Sequence, residues 1–425
     1  MLRRFPGAVW ATAFGVLIAF MGIGVVDPIM PLIGRAMGLS TAQVEWLFTS
    51  YIAVMSLAML VSGVLATRWG ARRVLLTGLL LVVVFATASG LAPGIGPLAL
   101  FRGGWGLGNA FFTSTALSII TGAAGSAGIA SAVTLYESAM GLGIASGPLL
   151  GGLLGRIRWQ MPFFGTAALM AVALVLTLVL VRETGPKERP RSPSDIFGAL
   201  RHPAVLTNAL AGLAYSYVFF TILAYSPTTP ALAGLGATGI GLAFFGWGIL
   251  LGLSSVIVVN WLRPRLGPVR MLLLNQLALL AVVLAAALVP QATLVWVVVL
   301  SGIFCGIANA LFTTLAMEVS PFSRSISSGT YNFVRWAGAA LAPVLSGVLR
   351  EAYGVQTPFW VAAAVLVAGV GVLFLRRGVL VEALALQGAT EGGVDTAESL
   401  RGRELPGHRK ADLGPGEPSE PSSAP

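Results

Sequence analysis

The chain has 425 residues, 56% of them hydrophobic and only 10% charged, where a typical soluble domain carries roughly 25%. With a mean hydropathy of +0.87 it reads as a polytopic membrane protein, which excludes a soluble enzyme, a secreted disulfide scaffold and a nucleic-acid binder. The net charge of +10 is unevenly held: residues 1–377 carry 22 Lys+Arg against 8 Asp+Glu, and residues 378–425 carry 4 against 8.

A helix crossing about 30 Å of hydrocarbon needs roughly 20 mostly apolar residues. Such runs start near Ala8, Val44, Val74, Pro97, Ala127, Pro162, Ala204, Gly239, Met271, Ala292, Ile326 and Pro358. The first runs past signal-peptide length and is expected to stay as a span. Barrel strands would alternate apolar with polar residues, so an all-α polytopic protein of twelve transmembrane helices is expected. The prolines and charges of 182–203 block a span and join a six-helix bundle, 1–181, to a second, 204–377. Within that linker Ser194 is placed to cap a short surface helix over Asp195–Arg201. The tail, 378–425, is expected to be cytoplasmic and largely disordered, because beyond about Gly388 it is rich in Gly, Pro, Ser and Glu.

An even number of spans puts both termini on one side. With that side inside, the inner loops and flanks hold 16 Lys+Arg, among them Arg68, Arg72, Arg73, Arg182, Arg265 and Arg270. The outer loops hold four: Arg35, Arg156, Arg158 and Arg350. This asymmetry predicts cytoplasmic termini in a cytoplasmic (inner) membrane. The single cysteine, Cys305, lies in an apolar run; it leaves no internal disulfide or multi-cysteine metal site and reads as buried filler.

The two halves repeat. DPIMP at 27–31 aligns with SPTTP at 226–230, and RWGARR at 68–73 with RLGPVR at 265–270. GLGNAFFTSTA at 106–116 aligns with GIANALFTTLA at 306–316, setting Asn109 on Asn309. YESAMGLGIASGPLLGG at 136–152 aligns with YNFVRWAGAALAPVLSG at 331–347, setting Pro148 on Pro343. The offsets, 195 to 200, keep their order, so the halves are parallel repeats about an axis along the membrane normal. That architecture predicts a transporter with its substrate site between the halves near the midplane.

These residues resemble the major facilitator superfamily over about 8–377. GVLATRWGARRVL at 63–75 is similar to its loop signature between the second and third spans. LALFRGGWGLGNA at 98–110 is similar to its fourth-span pattern with an intramembrane arginine, and DPIMP to the first-span proline pair of the twelve-span drug:proton antiporters. GIASGPLLGG at 143–152 matches the antiporter motif, here Gly143, Gly147, Pro148, Gly151 and Gly152. The resemblance implies the major facilitator fold and a proton-driven efflux pump for small amphipathic or lipophilic compounds. A lipid or glycolipid flippase, or a metabolite transporter on the same fold, is the alternative. The signature implies a cytoplasmic gate of Gly63, Arg68, Gly70, Arg72 and Arg73, whose arginines either serve only to set topology or meet helix C-terminal carbonyls or anionic lipid as a latch. Thr67 stands where the signature usually has an acid, which weakens the family's charge pairing at that gate.

Ionisable groups inside a membrane are costly and normally face a cavity or a partner. Asp27 lies in the outer half of the first span and pairs in the repeat with Ser226. Glu137 lies near the middle of the fifth span and pairs with Asn332. Each reads as a proton carrier or cation anchor, or else as a structural acid. Arg102 is a counter-ion or a relay element, and Arg335 raises the same question. Asn109, Asn309, Asn332, Arg335, Tyr215 and Tyr217 are cavity candidates, the aromatic rings suiting flat lipophilic or cationic cargo. Glu45 and Glu318, at span ends, are expected to be solvated. No catalytic constellation, metal site or cofactor is expected, and no Walker-type loop points to ATP. The expected partners are the bilayer, a small-molecule substrate and protons, with the chain acting as a monomer.

Overall fold

The computed structural model describes residues 5–124, 129–182, 193–322 and 324–386, and every regular element among them is helical. The first six long helices are α1 (Gly7–Met37), α2 (Thr41–Trp69), α3 (Ala71–Gly90), α4 (Ile95–Ala124), α5 (Ile129–Gly155) and α6 (Met161–Leu180). The second six are α7 (Pro203–Thr228), α8 (Gly236–Leu266), α9 (Pro268–Leu288), α10 (Gln291–Glu318), α11 (Arg324–Tyr353) and α12 (Thr357–Leu375). Within the described residues all twelve are helical from within three residues of the expected starts.

Local chemistry explains the boundaries. Ser40 and Gln43 form a reciprocal capping box that opens α2. Prolines sit in the first turn of α6, α7, α9 and α12, where a missing N–H costs nothing. A single glycine turns the chain between α2 and α3 and again between α8 and α9. Gly70 takes φ 92° and Gly267 φ 74°, a region open to glycine at little cost.

One local expectation is corrected. Among the described residues the linker helix covers Pro193–Ala199 rather than Asp195–Arg201, and it closes in a turn where Arg201 and His202 N–H donate to the Gly198 and Ala199 carbonyls. The first residues of the tail continue as helix over 377–386, with Leu380 and Ala383 buried three residues apart on one face. The linker expectation for 183–192 and the rest of the tail, 387–425, lie outside the described residues.

Eleven of the helices are long and apolar enough to cross a membrane. The other, α4, has 30 residues, about 45 Å at 1.5 Å per residue, and carries the buried Arg102. Large apolar side chains such as Leu100, Val179, Trp296 and Leu375 stand exposed around the outside, as a lipid-facing surface requires.

The repeat is realised as matched packing. In the first half α3 packs on α4 and α6, α2 on α4, and α1 on α5; in the second α9 packs on α10 and α12, α8 on α10, and α7 on α11. The close approaches match residue by residue. A Cβ on Gly143 would collide with the Leu17 carbonyl, and one on Gly338 with that of Leu213. Gly106 lies likewise on Tyr51, and Gly306 on Leu251. Even the short 3-10 breaks correspond, Asp27–Ile29 and Ser226–Thr228, each at a proline pair.

The halves meet along α2 with α11 and α5 with α8. Ala42 N–H donates to Glu351 Oε1 at 2.8 Å, Thr49 to the Ala340 carbonyl at 3.3 Å and Ser56 to the Phe333 carbonyl at 3.2 Å. On the other seam Gly152 abuts Ala237 and Gly241, and Gly248 abuts Ala145. These contacts run from the face opposite the termini to mid-helix, so the protein is closed at that far face. Nearer the termini the linker helix lies against α2 and α11, its Phe197 ring 6.0 Å from that of Phe333.

Candidate functional site

Pro28 and Pro31 deprive α1 of two amide donors, and the helix gives way to the 3-10 turn that carries Asp27. The carboxylate lies beside Gly24, where the absence of a side chain admits both Pro148 of α5 and Asp27 Oδ2. Asp27 is fully buried, and neither of its oxygens has a hydrogen-bond partner. At the equivalent position the hydroxyl of Ser226 donates to the Ile222 carbonyl and is satisfied within its own helix. The fold therefore does not require an acid at this break.

Arg102 of α4 is also fully buried. Its guanidinium lies between two rings, 4.4 Å from the centroid of Tyr51 and 4.6 Å from that of Trp105, an arrangement worth about 2 kcal/mol when desolvated. Its Nε donates to the Leu47 carbonyl at 3.4 Å, while both terminal nitrogens are unpartnered. Arg102 is the favourable charge acting on Asp27. Asn109, about two turns deeper, donates to the Tyr51 hydroxyl and to the Ala19 carbonyl, tying α4 to α2 and α1.

Glu45 overturns its expectation. It is fully buried with both oxygens unpartnered, because α11 of the other half covers this part of α2. Glu318 is half-buried and ion-paired with Arg263 rather than free in water. The reading also missed Tyr51 and Trp105. The matched contacts of Gly106 and Gly306 set Tyr51 against Leu251, and every repeat offset from 197 to 200 sets it against an apolar residue or glycine, so a polar residue facing an apolar counterpart was the available signal. An unpaired buried charge costs several kcal/mol. Asp27, Glu45 and Arg102 thus form a concentration of ionisable groups that the fold holds without satisfying them.

The other expected site residues separate. Glu137 lies on α5, but its side chain is outside the described residues. Tyr215 is packed rather than cavity-facing: its hydroxyl donates to the Cys305 carbonyl at 2.7 Å and its ring stacks on Phe312 at 5.4 Å. Tyr217 is buried with its hydroxyl unpartnered. Asn309 is half-buried with its amide oxygen unpartnered, as is the amide oxygen of Asn109. Arg335 and Asn332 share a half-buried stretch of α11, with the Arg335 guanidinium 5.6 Å from the Trp336 ring. Phe220 meets Trp336 at 5.8 Å, continuing an aromatic group that includes Phe219 and Trp247.

Gly143, Gly147 and Gly151 lay α5 backbone to backbone on α1, against the carbonyls of Leu17, Met21 and Val25. Gly152 and Pro148 meet α8, so this one stripe packs inside a half and between halves. Of the gate residues, Gly63 lies on α2, Gly70 makes the turn, and Arg68 and Arg73 are exposed. Arg72 donates from Nε to the Val181 carbonyl at 2.6 Å and from a terminal nitrogen to Leu178 at 3.1 Å. It braces α3 to the C-terminus of α6, within one half.

Comparison with known proteins accords with this architecture. The chain is 41% identical over 375 residues to the multidrug efflux protein YfmO of Bacillus subtilis (strain 168), covering 88% of this chain and 93% of that protein. It is 22% identical to multidrug resistance protein 1 of the same organism, covering 83% and 92%. Among solved structures it superposes on a bacterial homologue of the human lysosomal transporter Spinster, inward-facing and unoccupied, with a TM-score of 0.74 at 19% identity, covering 88% and 97%. A D-xylose–proton symporter gives 0.74 at 12% identity, covering 86% and 96%. The sequence pattern of the Major Facilitator Superfamily matches residues 12–343, and the chain belongs to that family.

Proposed function

We propose that the protein exports small amphipathic or lipophilic compounds in exchange for protons, working as a monomer in the cytoplasmic membrane with both termini in the cytoplasm. The observation that carries this reading is Asp27: an acid in a helix break, fully buried and unpartnered, where the other half of the repeat has a self-satisfied serine. A carboxyl so placed can take up a proton and give it back as its surroundings change. The printed names of the relatives, multidrug efflux and multidrug resistance proteins, support the cargo class. The sixteen-to-four split of Lys and Arg supports the orientation, which makes the far face the outer face. The bundles 1–181 and 204–377 rock about the α2–α11 and α5–α8 seams, with 182–203 joining them. Arg102 serves Asp27 as counter-ion, and the aromatic group around Phe220 and Trp336 receives the cargo.

A pump-deficient host expressing the chain should tolerate raised concentrations of several unrelated amphipathic toxins. An unchanged resistance profile, with labelled lipid moved between leaflets instead, would favour the flippase.

A further inference from the structure

Glu45 stands four residues into α2, on the seam between the two bundles. From its own bundle the charges of Asp27 and Arg102 bear on this region, and from α11 that of Arg350. Tyr225, on α7, feels both Glu45 and Arg350, and its hydroxyl is used on the Val355 carbonyl at 2.7 Å. Of the other charges near this end, Arg35 and Glu351 are exposed, and Glu351 accepts from Ala42, while Arg335 of α11 lies ten residues or more nearer the opposite end and Arg68 closes the far end of α2. Arg350 donates to the Thr228 carbonyl rather than to Glu45. Among the described residues the ion pair within 4.0 Å is Arg263–Glu318, at the opposite end of the molecule.

A charged carboxylate in a dry seam is repaid only by close, hydrogen-bonded partners. Glu45 has neither a donor on its oxygens nor a bound arginine. Parting α2 from α11 would wet it and remove the penalty.

We infer that Glu45 is a second proton-binding group, and that its protonation favours the conformation closed at the outer face while its ionisation favours the open one. A proton taken from outside then promotes closure toward the extracellular side, which is the sense an exporter needs. This rests on the orientation proposed above, but the test reads the outer seam itself and needs neither substrate nor a gradient.

Spin labels at Ala36→Cys and Gln356→Cys, both exposed and on opposite bundles, report the outer separation; native Cys305 is buried away from the reagent. In nanodiscs without substrate, lowering the pH from about 9 to 5 should shift the closed-to-open ratio toward closed by tenfold or more. Glu45→Gln should stay closed and lose most of that shift, while Asp27→Asn should keep a clear part of it. A full shift in Glu45→Gln, or none in Asp27→Asn, would overturn the inference. Should Glu45→Gln not fold, Glu45→Asp decides: a moved midpoint supports the assignment and an unmoved one contradicts it. Failure of gradient-driven export with the pH shift intact would instead count against the proposed function.

Discussion

Arg102 shows how one residue can be secured without being satisfied. Two rings grip the guanidinium, yet its terminal nitrogens have no acceptor, and Asp27, whose charge acts on it, makes no close pair with it. Arg102→Lys keeps the charge but loses the planar stacking on Tyr51 and Trp105. We expect it to cost about 1–2 kcal/mol of stability and to cut transport several-fold, read by thermal unfolding in detergent and by efflux. Unchanged stability and transport would mean that charge alone matters there. At this scale the sequence was only partly legible. Asp27 stands out because an acid in an apolar run faces Ser226 in the repeat. Glu45, four residues from a helix start, looks wet until α11 is laid over it. Tyr215 was readable as aromatic and intramembrane, but its partner Cys305 lies 90 residues away on another helix.

Helix starts were legible because their signals are local: a capping box at Ser40, prolines in first turns, a glycine that alone can make the turn at position 70. The linker helix and the helix over 377–386 were harder, since burial by neighbouring elements decides their extent. The role of Arg72 is also an element-scale matter. By meeting the carbonyls of Leu178 and Val181 it closes the C-terminus of α6, where those groups lack helical donors. Arg72→Ala should lower stability by about 1–3 kcal/mol and reduce transport while membrane insertion persists; Arg72→Lys should recover part of both. Transport unaffected by Arg72→Ala would reduce this arginine to a topology signal.

For the whole molecule, the repeat read from four aligned segments predicts which helices touch. The matched contacts Gly143–Leu17 with Gly338–Leu213, and Gly106–Tyr51 with Gly306–Leu251, follow that offset closely. What the repeat could not disclose is the closed face, because either closure satisfies the same pattern. Orientation has its own test. A cysteine at Thr184, in the linker, should be labelled by a membrane-impermeant reagent only after cells are opened; labelling in intact cells would invert the topology.

Coupling of export to protons through Asp27 is the central claim, and proteoliposomes with an imposed pH gradient test it most directly. One pH unit supplies about 1.4 kcal/mol per proton, enough for a tenfold substrate gradient at one-for-one exchange of a neutral compound. The wild-type protein should accumulate substrate in step with the gradient and move protons the other way. Asp27→Asn should fold, still bind a neutral substrate and lose that accumulation. Gradient-driven accumulation at the wild-type level in Asp27→Asn would contradict the account.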